Sequence, residues 1–233
     1  MKKTTILILC TLLAFLFISC APDSTPTPAT PTPPPTGQGE VSEADKAMMF
    51  LDTYQVGFSI PQAFDTIFSE AHAAGNNNPL NINNSNKLED SALPIMISSY
   101  CGVSNPKIKS SEINSGIATV NIDESTNPKT YVYKIENAKF TVTFETTDTN
   151  GETKETKKEF NLSFYMSHIM KEKVTEKETK IEESDITFSI TINGKNTIIT
   201  FKGNDDIGFI HATINEMDVD VKALNAIIHP LTV

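Results

Sequence analysis

The stretch that decides the fold is DITFSITINGKNTIITFKGNDDIGFIHATIN, which runs from Asp185 to Asn215. Apolar and polar residues alternate on both sides of Asn193-Gly194, which is the period of a strand with one buried face. An Asn-Gly pair favours a two-residue hairpin turn, because both turn positions need positive φ angles. The turn predicts three cross-strand pairs on one face: Ile190 with Thr197, Phe188 with Ile199, and Ile186 with Phe201.

The same stretch predicts a third strand after a four-residue loop, Gly203 to Asp206. With that loop, Ile199 pairs with Ile210 and Thr197 pairs with Ala212, so the apolar face continues onto the third strand. The loop length and the hydrophobic pattern agree on this register. We therefore expect antiparallel strands that follow one another as a meander.

An earlier hairpin needs a different turn. The β-rich region begins near Gly116, where the period changes to two. A two-residue turn at Asn150-Gly151 would place the apolar side chains of the next strand on the wrong face, whereas an odd-length loop or a bulge corrects this. The corrected register predicts two pairs: Val142 with Leu162, and Phe140 with Phe164.

Two helices are predicted before the sheet. The first begins after Ser42, an N-cap with an acidic residue three positions later, and it ends at Gly57. The second begins at Ser59, has Pro61 in its first turn and ends at Gly75. Apolar residues recur at helical spacing in both: Ala44, Ala47, Met48 and Leu51 in the first, and Ile60, Phe64, Ile67, Phe68 and Ala71 in the second.

A short helix is also predicted from Val219 to Ile228, ended by His229-Pro230. The pattern fixes no secondary structure for residues 76–115 or 171–185, although the apolar segment from Leu93 to Tyr100 suits either a buried strand or a short helix. The second of these segments is a mixed charge run, which suits a solvated hairpin arm, an exposed helix or an adhesive polar surface. Together the elements indicate one α+β domain, residues 41–233, in which the N-terminal helix pair packs on a mostly antiparallel, meander-type β-sheet.

The composition argues against nucleic acid and nucleotides as partners. The formal net charge is −10, and it becomes −12 without Lys2 and Lys3, so polyanions are repelled. All 19 basic residues are Lys, whereas Arg is the side chain that holds phosphate or carboxylate bidentately. We therefore expect no nucleic acid, no nucleotide and no cofactor.

The sequence also lacks a pattern that indicates catalysis or a metal site. Cys101 ends an apolar run, which is typical of a buried small hydrophobic residue rather than a nucleophile. A calcium site from Asn204 to Asp206 would need Asp218 and Asp220 to return to that turn, and the spacing is not that of an EF-hand. The four histidines lack the spacing of a zinc site: His72, His168, His211 and His229.

Residues 1–19 have the layout of a secretion signal. Lys2 and Lys3 are basic, the segment from Ile6 to Ile18 is apolar, and small residues follow at Ser19-Cys20-Ala21. The apolar run has 13 residues, whereas a membrane-spanning helix needs about 20. The segment therefore favours export over a permanent transmembrane helix.

The end of this signal, Leu16-Phe17-Ile18-Ser19-Cys20, resembles the lipobox of bacterial lipoproteins. Phe17 stands where the usual pattern prefers Leu, which here is one position further back. The resemblance implies that Cys20 carries lipid, including chains such as palmitate, and is the mature N-terminus. Ordinary secretion with release of the chain is the alternative.

Residues 20–40 contain this cysteine and a Pro/Thr-rich stalk. Seven of the 13 prolines lie between Ala21 and Glu40. Proline at that density favours extended polyproline II, with a rise of about 3.1 Å per residue, so the stalk spans up to about 60 Å. It would hold the domain away from its membrane.

These features favour a non-catalytic envelope lipoprotein, lipid-anchored to the outer membrane or the cell surface, that binds a protein or another envelope component. A solute-binding lipoprotein of a transporter is the first alternative, although such proteins usually alternate strands and helices in two lobes. A cell-wall hydrolase is the second, and it would need paired carboxylates or a metal in a groove.

Overall fold

The protein was analysed as a computed structural model, which describes residues 41–83, 88–147, 150–175 and 178–228. The predicted signal, Cys20, the stalk and the helix end at His229-Pro230 lie outside the described residues. The elements follow this order: α1 Glu43–Ala63, α2 Asp65–Ala73, β1 Leu80–Ile82, a 3₁₀ turn Asp90–Ala92, α3 Leu93–Cys101, β2 Lys107–Asp123, β3 Lys129–Thr147, β4 Thr153–Val174, β5 Thr179–Ile192, β6 Lys195–Asn204, β7 Gly208–Ile214, β8 Met217–Asp218 and α4 Val221–Ile228.

The strands form an eight-stranded sheet in chain order, β1 to β8, and every neighbouring pair is antiparallel. The predicted meander is confirmed. The sheet is long in the strand direction, because β4 has 22 residues and spans about 70 Å at about 3.3 Å per residue. Both outermost strands are very short, β1 with three residues and β8 with two, which limits pairing with other chains at those edges.

One face of the sheet packs against the helices through aromatic rings. Phe50 of α1 lies with its ring centroid 6.0 Å from that of Phe201 and 5.7 Å from that of Phe209. On α2, the ring of Phe68 lies 5.1 Å from that of Tyr133 of β3. We call this side of the sheet the covered face and the opposite side the open face.

The predicted helix pair is confirmed only in part. Ser42 is the N-cap of α1, and its hydroxyl oxygen accepts the N–H of Asp45 at 3.1 Å. The predicted end at Gly57 is wrong, because α1 continues through Pro61 to Ala63. Ser59 is therefore no cap, and its hydroxyl donates to the carbonyl oxygen of Val56, one turn earlier, at 2.9 Å.

Gly57 has a packing role instead of a terminating one. A Cβ atom at this position would lie 2.7 to 2.9 Å from three ring atoms of Phe188 on β5. Phe188 is fully buried, and the ring of Phe58 lies 5.0 Å away. The glycine thus lets the helix approach the aromatic layer closely.

The hairpin of β5 and β6 has the predicted register. Its turn is Asn193-Gly194, and both residues have positive φ, 51° and 83°. The three predicted pairs are all present: Ile190 with Thr197, Phe188 with Ile199, and Ile186 with Phe201.

The predicted register of β6 and β7 is wrong. Strand β6 continues to Asn204, which pairs with Gly208, and the register shifts between Lys202 and Gly203. The side-chain oxygen of Asn204 accepts two N–H groups of the turn, at 2.9 and 3.1 Å, and so closes it. The observed pairs are Ile199 with Ile214 and Phe201 with Ala212, whereas Ile210 is half exposed instead of facing the core.

The hairpin of β3 and β4 has the odd-length loop that was predicted, because Thr147 pairs with Thr153. The predicted pairs are wrong: Phe140 pairs with Phe160, and Val142 pairs with Lys158. The prediction assumed that a buried residue needs an apolar partner across the ladder. Val142 is fully buried although Lys158 is exposed, so its burial does not depend on an apolar cross-strand partner.

The segments without a prediction are now assigned. Residues 76–115 contain β1, the 3₁₀ turn, α3 and the start of β2. In the charge run, residues 171–174 end β4 and residues 179–185 begin β5, and Lys171 and Lys173 both approach Glu182, at 3.3 and 3.8 Å. The C-terminal helix α4 is close to the predicted range, and Leu224 is fully buried.

Five asparagines and one aspartate extend the sheet where strands end. The side-chain oxygen of each residue accepts the backbone N–H of a residue on a neighbouring segment. Its side-chain amide or its own backbone N–H then donates to the carbonyl oxygen of that partner residue. We call these contacts Asx clamps. They are Asn76 on Ile122, Asn127 on Glu172, Asn193 on Asn161, Asp205 on Ile181, Asn215 on Ile198 and Asn225 on Phe209.

Candidate functional site

The open face of the sheet is the candidate site. Cross-strand pairing aligns its side chains in three rows that run from β2 towards β7. The first row is Thr119, Lys134, Tyr165, Ser189 and Ile198; the second is Asn121, Val132, Ser167, Thr187, Thr200 and Thr213; the third is Asp123, Thr130, Ile169, Asp185, Lys202 and His211. Neighbouring strands are about 4.8 Å apart, so a row that extends from β2 to β7 is about 24 Å long.

The three rows are rich in hydroxyl groups and balanced in charge. About half of their side chains are Ser, Thr or Tyr, and two lysines offset two aspartates. Asp185 and Lys202 form an ion pair of 2.8 Å, and the hydrogen bond from this pair raises the pKa of Lys202. The open face is thus nearly neutral, although the chain without Lys2 and Lys3 carries −12.

The rows have ordered cross-strand contacts. The hydroxyl oxygens of Thr200 and Thr213 lie 2.6 Å apart on neighbouring strands. Both threonine side chains are half-buried. Tyr165, Ile169 and Ile198, which are larger and lie on the same face, are each more than a third exposed. Close lateral packing of short β-branched side chains therefore gives this face a regular surface.

A shallow depression of about 270 Å³ interrupts this surface beside Tyr165. This volume is near the lower end of the range for small-molecule clefts. Tyr165, which lies beside the depression, is 38% exposed. The polar residues that line it with Tyr165 are Lys134, Glu136, Asn137, Ser163, Ser189 and Thr191.

A β-bulge produces the depression. The register of β3 and β4 shifts between Ile135 and Ala138, and Asn137 adopts a left-handed conformation with φ 50°. The backbone N–H of Asn137 donates to the hydroxyl oxygen of Ser163 at 3.2 Å. Because Ser163 is the acceptor there, its own O–H can donate to a bound molecule.

Lys134 and Glu136 supply the charged part of the depression. Their ammonium and carboxylate groups lie 2.7 Å apart, and each side chain is a little under half exposed. The pair offers one strong donor and one strong acceptor at no net charge. Both ionic groups remain hydrated, so we assign the pair no stabilising role for the fold.

The three histidines that the structure describes lie on different elements: His72 on α2, His168 on β4 and His211 on β7. His72 and His211 are exposed, and His168 is buried on the covered face, where its Nε2 lies 2.9 Å from the hydroxyl of Ser184. Within the described residues there is no group of three His, Cys, Asp or Glu that could hold a metal ion. His229 lies outside them.

Two of the acidic residues that were considered for calcium, Asp205 and Asp220, have structural contacts. Asp205 accepts the N–H of Ile181 at 2.9 Å in an Asx clamp. Asp220 accepts the N–H of Lys222 at 2.9 Å, at the first turn of α4. These contacts account for both carboxylates without an ion.

Cys101 is half-buried at the end of α3 rather than fully buried. Burial raises the pKa of its thiol, and the nearby Lys158 acts in the opposite direction. A thiol with a raised pKa is mostly protonated at neutral pH, so it is a weak nucleophile. Its contact with the hydrophobic core agrees with a structural role.

Sequence reasoning missed the site around Tyr165. The signal that could have found it is the alternation in NLSFYMSHIM, residues 161–170, where the positions facing away from the core are Asn, Ser, Tyr, Ser and Ile. A lone tyrosine in a row of serines is conspicuous only once the strand register is known. The bulge that opens the depression leaves no comparable pattern.

Comparison of the chain with protein-family models, curated proteins and solved structures found no match. None of the helices in the part of the chain that the structure describes is long and apolar enough to span a membrane.

Proposed function

We propose that this chain is a lipid-anchored protein of the bacterial envelope whose α+β domain is a non-catalytic binding module. Cys20 is the lipid attachment site, and residues 20–40 are the stalk. The binding surface is the open face of the sheet. The observation that carries the proposal is the nearly neutral, hydroxyl-rich character of that face in an otherwise acidic chain.

The arrangement of the two faces supports this assignment. The N-terminal helices α1 and α2 bury the covered face, where Phe188 and Ile199 are fully buried. On the open face the equivalent central positions are Thr187 and Thr200, which are half-buried. A face with ordered polar groups and an aromatic side chain suits recognition of another surface.

The solute-binding alternative is less well supported. It requires a cleft between two lobes that encloses a small ligand. The described strands instead form a continuous sheet in chain order, and the depression beside Tyr165 opens to solvent.

The lipid anchor is tested by labelling cells with a radioactive or clickable fatty acid. We expect label on the native chain and its loss in Cys20→Ser, because the thiol is the acylation site. A labelled Cys20→Ser chain, or an unlabelled native chain that is released into the medium, would contradict the anchor.

The binding surface is tested separately with the unlipidated Cys20→Ser chain. We expect this purified chain to sediment with washed envelope fragments. Adding Thr187→Lys and Thr200→Lys should abolish this sedimentation, because the two substitutions place two positive charges in the second row of the open face. The matched control places the same two charges on α1, at the exposed Met48 and Met49. Equal loss in both variants would reject the open face as the binding surface.

A further inference from the structure

We propose that the depression beside Tyr165 binds one sugar unit of a neutral polysaccharide. This inference rests on the proposed function, since it names the ligand class for the open face. It follows from three properties of the depression: an exposed aromatic ring, a set of polar groups of both kinds, and the absence of net charge.

The aromatic ring is the first property. Tyr165 lies in the first row of the open face between Lys134 of β3 and Ser189 of β5. A tyrosine offers a large, rigid and amphipathic contact surface at a low cost in side-chain entropy. A pyranose ring has an apolar side of C–H groups that can lie on such a surface, while its hydroxyls point outward to polar neighbours.

The polar groups are the second property. Sugar hydroxyls both donate and accept hydrogen bonds, so a sugar site needs both kinds of partner. Lys134 supplies donors, Glu136 supplies acceptors, and the hydroxyls of Ser163 and Ser189 can do either. The hydroxyl of Thr191 donates to the side-chain oxygen of Asn196 at 2.9 Å, so it can accept from a ligand. These side chains surround the depression on three adjacent strands, β3, β4 and β5.

The charge is the third property, and it selects a neutral ligand. Lys134 and Glu136 neutralise one another at 2.7 Å. An acidic polysaccharide would also meet the field of a chain that carries −12 without its signal, and this field repels anions. A neutral polysaccharide is not repelled by this field.

The shape favours a polymer over a free sugar. The depression of about 270 Å³ is open, so it would bury only part of a small ligand. The hydroxyl groups of Ser167, Thr187 and Thr200 continue from it across the second row of the open face. A linear polymer can therefore place one unit on Tyr165 and lay its neighbours along these hydroxyls.

The test is affinity electrophoresis of the full chain in gels that contain a neutral polysaccharide. The chain is extracted in a detergent without a sugar headgroup, and the probes are dextran, a soluble β-glucan and soluble chitin oligomers. Alginate serves as the acidic probe. We expect at least one neutral probe to retard the native chain and alginate to leave its mobility unchanged.

Variants then locate the site. Tyr165→Ala should weaken binding about tenfold or more, whereas Tyr165→Phe, which keeps the ring, should stay within about threefold of the native chain. Met49→Ala is the matched control, because Met49 is a similarly exposed large apolar residue on α1, outside the open face, 39% against 38%. It should bind like the native chain, and unchanged melting temperatures would show that all three variants are folded.

The other outcomes would overturn the inference. Retardation by alginate alone would mean an acidic ligand, and equal losses in Tyr165→Ala and Met49→Ala would mean a general apolar contact. Self-association that depends on Tyr165, without retardation by any neutral probe, would mean that a second copy covers the face. If envelope fragments still bind through Thr187 and Thr200 while no neutral probe does, the ligand class is wrong and the proposed function stands.

Discussion

The imidazole Nε2 of His168 lies 2.9 Å from the hydroxyl oxygen of Ser184 on the neighbouring strand, and the histidine is only 3% exposed. The ring of Tyr131 lies on its other side, with its centroid 5.8 Å away. Desolvation by burial lowers the pKa of His168 from 6.5 to about 4, while the charge of Asp185 opposes this shift. The histidine is therefore neutral in the folded protein at neutral pH.

This neutral histidine makes the fold less stable in acid. Between about pH 6.5 and 4 the unfolded chain binds a proton at this position and the folded chain does not, so stability falls as the pH falls. A shift of this size corresponds to about 3 kcal/mol at pH 4. Urea unfolding of the native chain and of His168→Gln at pH 7, 5.5 and 4.5 measures the effect.

Carboxylates titrate in the same range, so the comparison between variants decides the result. We expect the loss of stability between pH 7 and 4.5 to be smaller in His168→Gln than in the native chain. His211→Gln, at an exposed position, should follow the native chain. Parallel pH profiles for the native chain and His168→Gln would show that His168 is not the group responsible.

Gly57→Ala should destabilise the protein although alanine is the better helix former. The helix gains about 1 kcal/mol from the substitution. The new Cβ would lie 2.7 Å from a ring atom of the fully buried Phe188, and overpacking of this kind costs about 1 to 3 kcal/mol. We expect a net loss of up to about 2 kcal/mol in the free energy of unfolding, measured in urea.

A double-mutant cycle with Phe188→Leu separates the clash from other effects. In that background Gly57→Ala should be neutral or stabilising, because the ring it meets has been removed. If the alanine costs the same in both backgrounds, the contact with Phe188 is not the cause.

Asn225→Ala should destabilise the edge formed by α4 and β7. The side chain of Asn225 accepts the N–H of Phe209 at 2.9 Å and donates to its carbonyl oxygen at 2.8 Å. Removal leaves both partly buried backbone groups without these bonds, at a cost of about 1 to 3 kcal/mol. Hydrogen exchange at the Phe209 amide should become faster. The exposed Lys222→Ala, on the same helix, should change neither quantity.

The first part of β4 should resist association because of its charges. Of the described strands, only β3 pairs with Thr153–Phe160, so this segment is a sheet edge, and five of its eight residues are Lys or Glu. Charged side chains on an exposed edge oppose pairing with other chains. Replacing Glu155, Lys157 and Glu159 by Val should therefore produce association that increases with protein concentration.

Sedimentation velocity at several concentrations measures this association. The control reverses the same three charges instead of removing them: Glu155→Lys, Lys157→Glu and Glu159→Lys. It should sediment like the native chain. A valine variant whose sedimentation does not change with concentration would show that the charges do not protect this edge.

The hairpin of β5 and β6 could be predicted from the sequence because Asn193-Gly194 fixes the turn and the alternation fixes the face. The register of β6 and β7 could not, because it depends on the close approach of two backbones. A Cβ at Gly203 would lie 2.5 Å from the carbonyl oxygen of Gly208, a contact that no periodicity records. Gly57 was misread for the same reason, since a glycine that permits close packing has the same sequence signal as one that ends a helix.

The candidate site depended still more on tertiary structure. Tyr165 faces away from the core, where sequence patterns constrain residues least. Its neighbours Lys134 and Ser189 lie 31 and 24 positions away in the chain and meet only through the strand register. The left-handed Asn137 beside the depression lies inside β3, at a register shift that the sequence pattern did not locate.

The order of the strands has a consequence for how the chain reaches this structure. Each strand pairs with the strands just before and just after it in the sequence, from β1 to β8. A hairpin can form first at a short turn such as Asn193-Gly194, and its strands can then pair progressively away from the turn. Because the first contacts are close in sequence, little chain entropy is lost before they form. Because synthesis proceeds from the N-terminus, the chain can add its strands one at a time, each onto an edge already formed, without waiting for the C-terminus.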